Sequence, residues 1–179
     1  KYTLHGEGEA AIYGLVPSLG DYDHTKVKGF DYNPEEAKRL LAKVGYPNGK
    51  GFPKVELDVS EGNYLNKNVD EATQKMLLDN VGIAIAVNYY PFSELISKFN
   101  NGNSDFWGIT WLADYPDPQN FLQIFNGAVV PSDDEVSYTN HSRYKNPLFD
   151  EFYDKAIHAK NQQQAMRNYY KADSILIAD

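Results

Sequence analysis

The densest concentration of chemically capable side chains is Thr110-Trp111-Leu112-Ala113-Asp114-Tyr115-Pro116-Asp117-Pro118. It joins a large aromatic plane and a carboxylate to two prolines, which stiffen a turn by removing freedom from the unfolded chain. A carboxylate in a water-excluding cleft gains most from a permanent cation, with about 2 to 5 kcal/mol at stake when one such partner is truncated. Asp114 is therefore suited to anchor an amine, the plainer alternative being a loop carboxylate that caps its own turn. Trp111 reads either as core or as the wall of a side-chain pocket, with Trp107 as the buried partner on the same alternation. Asp117 precedes Pro118 at a helix start and reads as an N-cap. A glycosidase-like couple of Asp114 and Asp117 is the rival chemistry. It is disfavoured, because backbone amides already engage the Asp117 carboxylate. His5, His24, His141 and His158 show no i, i+4 pair and no H-E-x-x-H pattern, and the chain has no cysteine, so no metal site is expected. No catalytic residue and no cofactor is expected either.

Three strands and their helices must position that stretch. Asn33 as N-cap, Pro34 at the first helical position and Glu36 reaching back predict a helix with Ala37, Leu40, Leu41 and Val44 on one face, stopped by Gly45. Val55, Leu57 and Val59 then alternate with polar residues, the mark of a half-buried strand that ends at Gly62-Asn63. A helix is predicted over Val69 to Asn80, with Ala72, Met76 and Leu77 inward and Gly82 in a left-handed cap. Ile83, Ile85, Val87 and Tyr89 form the next strand, and Phe92, Leu95, Ile96 and Phe99 the inner face of a helix over Pro91 to Asn100. Asp105 to Leu112, rich in β-formers and free of proline, is the third strand. Connections of this length make β-α-β-α-β a parallel unit. Further helices are expected from Pro118 to Phe125, from Pro147 to Ala159 behind Asn146, and from Gln162 to Ile177. The expected organisation is one domain: an irregular lead-in over 1–30, an α/β core over 54–112 and a mainly helical part over 118–179. Between the helices, Asn126 to Asn146 is long and polar, which loop-length statistics associate with function or flexibility. Parallel α/β sheets bind ligands outside the carboxyl ends of their strands, which directs attention to the exit of the third strand.

With 179 residues, a net charge of −8 and a pI near 5.0, the chain has enough length for one α/β core and lacks the clustered cations that nucleic acid or anionic lipid would require. No apolar run approaches the roughly 18 to 20 residues of a membrane span. The sequence starts at Lys1 without methionine and stops at Asp179 just after Ile175, Leu176 and Ile177, so it is expected to be a piece of a longer protein.

Four stretches, in order, resemble one family. Trp111 to Pro118 is similar to the G-W-x-A-D-Y-x-D-P signature of bacterial extracellular solute-binding proteins of family 5, which deliver oligopeptides, dipeptides, nickel or sugars to ABC importers. Asn33 to Lys38, with Leu40-Leu41 and Gly45-Tyr46-Pro47, resembles its DPEKAKxLLxxAGYP helix. Leu78 to Ile83 resembles its L-x-x-x-G-I junction, and Tyr144 to Asp150 its Y-x-N-P-x-F-D segment. The resemblance spans residues 8–179. It implies a lobe of the type II periplasmic-binding class, the C-terminal-side one of two, with a parallel βαβαβ core and added C-terminal helices. It also implies that Asp114 takes a ligand's α-ammonium, that the backbone of Thr110 to Leu112 pairs with an extended peptide, and that Trp111 lines a side-chain pocket. Thr110 stands where the pattern usually has glycine. The implied partners are a short peptide, the missing first lobe and an ABC permease, for a monomer that is periplasmic or lipid-anchored on the outer face of the cytoplasmic membrane. An oligosaccharide stacked on Trp111, or a metal chelate, is the alternative cargo within the fold. A hydrolase, or an interaction module docking through Asn126 to Asn146, is the alternative outside it.

Overall fold

The computed structural model describes residues 10–62, 64–132 and 135–179. The described residues fall into two compact units, one made of Tyr32–Lys98 and Asn103–Ile109, the other of Ala10–Asp31, Phe99–Gly102 and Thr110–Asp179.

The first unit begins with α1 (Pro34–Lys43), whose N-terminus is closed by Asn33 Oδ1 accepting from Glu36 N at 3.0 Å. The Glu36 carboxylate does not reach back to the cap. It accepts from Arg39 Nε at 2.7 Å and Nη2 at 2.6 Å, because a guanidinium fork one turn on outcompetes a single backbone donor. Ala37 and Leu41 pack on the core while Leu40 and Val44 stay exposed, so the buried stripe is narrower than the periodicity suggests. The chain continues through β1 (Val55–Ser60), α2 (Tyr64–Val81), β2 (Ile85–Tyr90), α3 (Phe92–Asn100) and β3 (Phe106–Trp107). The helix α2 starts earlier than predicted, and Asn63, the expected end of the loop before it, lies outside the described residues. The sheet has the order β2-β1-β3 and is parallel throughout, pairing Val55 with Ile85 through to Ser60 with Tyr90, and Leu57 with Phe106. Leu57, Val59, Val81, Ile83 and Ile85 form its core. Gly82 does take the left-handed cap, with φ +74°, and a Cβ there would lie 2.1 Å from the Asn48 carbonyl oxygen. Only glycine satisfies both demands.

One face of β1 departs from the expected pattern. Asp58, placed on the polar side by alternation, is 3% exposed. Its carboxylate meets Lys98 Nζ at 2.7 Å and accepts from Ser104 Oγ at 2.6 Å and Asn88 Nδ2 at 3.2 Å. Burial alone would raise the Asp58 carboxyl, but these three hydrogen bonds together outweigh it and hold it below the ordinary aspartate value. Helix α3 thus covers a charged strand position by supplying its counter-ion.

The third strand is a correction to the sequence reading. The ladder stops at Trp107, and only Gly108 N, donating to Asp58 O at 3.1 Å, extends it. Glycine weakens a strand interior, and beyond it the chain passes into the second unit at Thr110.

The second unit is mainly helical, with α4 (Gln119–Leu122), α5 (Pro147–Ile157) and α6 (Gln162–Ala178). The predicted helix from Pro118 is therefore broken: after one α-turn it tightens to 3₁₀ over Gln123–Phe125. Asn146 Oδ1 caps α5 through Leu148 N at 2.9 Å and Phe149 N at 3.2 Å, as the Asn-Pro pair predicts. Val16, Tyr22, Val27, Leu122, Phe149, Tyr153, Tyr169 and Ala172 make the core. The described part of the lead-in is largely irregular, as expected, with one 3₁₀ turn at His24–Lys26. It is pinned by the fully buried Asp173 of α6, which accepts from Leu15 N at 2.8 Å and Tyr22 Oη at 2.6 Å. The long segment after Asn126 is organised by buried Asn140: its Nδ2 donates to Asn126 O at 3.1 Å and Tyr144 O at 2.9 Å, and its Oδ1 accepts from Tyr144 N at 3.1 Å. Residues 133 and 134 of that segment lie outside the described residues.

Candidate functional site

The residues singled out by sequence all lie in the second unit, on the irregular chain that leads from Thr110 into α4. Trp111 is 37% exposed and Leu112 81%, and Asp114 is exposed as well. The indole is not sealed in the core. Among the described residues, no hydrogen bond involves the backbone N–H or C=O groups of Thr110, Trp111 or Leu112. The expected strand at these positions is absent, and what remains is a short run of backbone with its polar groups unpaired.

Sequence reasoning missed the residue that organises the run. Asn120, the second residue of α4, is fully buried. Its Oδ1 accepts from Trp111 Nε1 at 2.9 Å and from Asp114 N at 3.4 Å, and its Nδ2 donates to Asp114 Oδ2 at 3.5 Å. The indole N–H can only donate, so it fixes which end of the amide is oxygen and turns the NH₂ toward the Asp114 carboxylate. Trp111 and Asp114 are thereby brought to one side chain, while Thr110 and Leu112 only flank it. The usable signal was the indole itself: a half-buried tryptophan N–H needs an acceptor, and the next helix offers an amide.

Asp114 accepts only from that amide, and among the described residues no lysine, arginine or histidine pairs with it. The predicted N-cap lies one residue off: α4 is preceded by Pro118 as its N-cap, and Asp117 caps the turn just ahead of it. Its Oδ1 accepts from Gln119 N at 2.8 Å, its carbonyl accepts from Asn120 N at 3.0 Å, and Pro118 behind it is buried. Burial first, and then the Asp117 charge, push the Tyr169 hydroxyl up from its ordinary value. The carboxylate of Asp117 is thus spent on the helix start. The histidines go separate ways: His24 bonds Ser18, His141 the Ser137 carbonyl, and His158 the Asp154 carboxylate, while His5 lies outside the described residues. Among the described residues no group of three or more His, Asp or Glu could hold a metal ion, and no helix is long and apolar enough to cross a membrane.

The comparisons with known proteins agree with the fold. Residues 1–132 match the family model described as bacterial extracellular solute-binding proteins, family 5 Middle. The chain is 27% identical to heme-binding protein A of Haemophilus influenzae, over 97% of this chain and 31% of the relative. It is 28% identical to di/tripeptide-binding protein 2 of Pseudomonas aeruginosa, over 98% of this chain and 32% of the relative. The crystal structure of a periplasmic oligopeptide-binding protein of Borrelia burgdorferi superposes with a TM-score of 0.77 at 27% identity, covering 92% of this chain and 31% of that one. The chain spans about a third of the length of the curated relatives it matches. With the family model covering most of its length, a parallel β-α-β-α-β core and the superposition on a solved relative, the chain belongs to the bacterial extracellular solute-binding proteins, family 5.

Proposed function

We propose that this chain forms part of the substrate-binding component of an ABC importer, on the second lobe of a two-lobed carrier that reversibly binds short peptides. In this reading Asp114 takes the peptide's α-ammonium, the backbone from Thr110 to Leu112 pairs with the extended main chain, and Trp111 walls a side-chain pocket. The observation that carries it is the exposed Asp114 carboxylate, which has no cation of its own among the described residues. An exposed carboxylate without an internal counter-ion is hydrated at little cost and stays available to a ligand's cation, a pairing that gains strength once a closing ligand site excludes water. The unpaired backbone beside it suits strand addition, which binds an extended peptide irrespective of its sequence. The names of the Pseudomonas and Borrelia proteins, which bind di/tripeptides and oligopeptides, point the same way. The carrier acts outside the cytoplasmic membrane, in the periplasm or lipid-anchored on its outer face, as a monomer that hands its cargo to a permease. It is a carrier and not a hydrolase, since Asp117 is committed to the start of α4 and leaves Asp114 without a second free carboxyl.

The test is calorimetry on the full-length protein with trialanine. Asp114→Asn is expected to weaken binding by about thirtyfold or more, the factor that 2 kcal/mol represents for a desolvated charge pair. An unchanged affinity would remove the amine anchor. One observation favours a second cargo: the exposed indole of Trp111 suits stacking on a flat or ring-shaped ligand such as a sugar or a metal chelate, and the Haemophilus relative is named for heme. In that case Trp111→Ala abolishes binding of the chelate or sugar while Asp114→Asn leaves it intact.

A further inference from the structure

We propose that Asn120 is a positioning residue that couples Trp111 and Asp114 into one rigid recognition unit, so that neither can be reoriented without the other. The proposal rests on the peptide-binding reading for its ligand, but its structural half stands without any ligand. A fully buried side-chain amide has four hydrogen-bonding capacities to satisfy, and those directed at the site serve Trp111 and Asp114 alone. The Oδ1 bond to the indole at 2.9 Å sets the plane of the ring. The same oxygen takes Asp114 N, which sets where the turn begins. The NH₂ end then faces one oxygen of the Asp114 carboxylate and leaves the other open. Asn120 is held in turn by its own backbone N–H on Asp117 and by Gln123 Nε2 donating to its carbonyl at 3.3 Å, so the amide is fixed to the helix start rather than to a mobile loop.

The arrangement has a consequence for the chemical class of ligand. With one carboxylate oxygen turned toward the amide, Asp114 presents its other oxygen as the freer acceptor, which suits the compact point charge of an ammonium. A guanidinium gains its advantage from two parallel bonds to both oxygens. Asn120 thus biases the anchor toward amines over guanidines of similar size.

Trp107 and Trp111 are the two tryptophans of this chain, so indole nitrogen labelling of the full-length protein, with these two signals assigned by single Trp→Phe substitutions, gives one reporter at the site and one control. In Asn120→Ala without ligand, the Trp111 indole N–H is expected to exchange with solvent about tenfold faster or more, with Trp107 unchanged, because a neutral hydrogen bond to a buried acceptor is lost. Trialanine affinity is expected to fall about tenfold, and adding Asp114→Asn in that background to cost clearly less than it does alone, since residues acting as a unit are non-additive. If Asn120→Ala does not fold, Asn120→Asp keeps the volume and the acceptor for Trp111 but sets a second carboxylate against Asp114. The indole signal is then retained, while the pH profile of trialanine binding shifts from that of the unsubstituted protein, because two close carboxylates cannot both ionise freely. An unchanged indole in Asn120→Ala, or losses from Asn120→Ala and Asp114→Asn that simply multiply, overturns the proposal. Failure of the unsubstituted protein to bind trialanine counts against the peptide reading alone, and the indole exchange still decides whether Asn120 positions Trp111.

Discussion

Asp58 on β1 and Asp114 in the turn before α4 are both aspartates that take an asparagine NH₂, from Asn88 at 3.2 Å and Asn120 at 3.5 Å respectively, yet they end in opposite electrostatic conditions. Asp58 is buried and closed: Lys98 sits 2.7 Å away and Ser104 adds a hydroxyl, so with Asn88 both carboxylate oxygens have partners within the first unit. Asp114 is exposed and open, with one weak amide contact and no cation among the described residues. A carboxylate given its own ammonium is finished as a structural element. One given only an amide is oriented but not neutralised, and that is the condition a binding group needs.

The comparison is most easily broken at Asp58. Asp58→Ala strands the Lys98 ammonium, whose side chain is 24% exposed, and is expected to cost about 3 kcal/mol of folding stability in urea unfolding. Replacing both partners, Asp58→Leu with Lys98→Met, recovers most of that loss, because a removed pair leaves no charge behind. A loss near zero for Asp58→Ala would mean that the pair is ornamental and the contrast empty.

A pH series sharpens the contrast with a smaller effect. The carboxyl of Asp58 is held below its ordinary value of 3.8, so its contribution is present above that value and is lost as pH falls through the lower folded value. Asp173 has the opposite sign. Burial raises it despite the donors from Tyr22, Leu15 and Val16, so its contribution is present below the ordinary value and lost as pH rises through the raised one. Amide hydrogen exchange between pH 3 and 6 is expected to show β1 weakening on acidification, and an Asp58→Asn variant to flatten that dependence without altering α6. The smallest effect is the most telling for the site: Asp114→Asn is expected to leave unfolding stability within about 0.5 kcal/mol, as surface substitutions usually do. A loss comparable to that of Asp58→Ala would show that Asp114 serves the fold.

Much of this architecture could be read from residue spacing. Asn33-Pro34, Asn146-Pro147 and Gly82 announced helix boundaries through local chemistry that no distant contact overrides. The parallel core followed from alternation and connection length. What escaped was non-local. The β-formers after Gly108 suggest a strand up to Leu112, but a strand needs a partner, and Trp111 found Asn120 instead of a ladder. Asp58 looked like a solvent position because alternation cannot tell that α3 brings Lys98 over that face. The order Trp111, Asp114, Asp117 was legible as a candidate site through its motif, and the turn-capping bond of Asp117 through its proline. Asn120 was not, because a lone asparagine one turn into a helix has no local signature that distinguishes a clamp from a solvated side chain.

The bonds from Leu15 and Tyr22 to Asp173 link positions 158 and 151 residues apart within the second unit. During synthesis the lead-in emerges long before its acceptor exists. The sheet-bearing unit, whose β1 and β2 are joined by a single helix, has its partners at hand much sooner. Consolidation of the second unit around Asp173 therefore waits on α6, and closing a loop of that length carries a larger entropy cost than pairing β1 with β2.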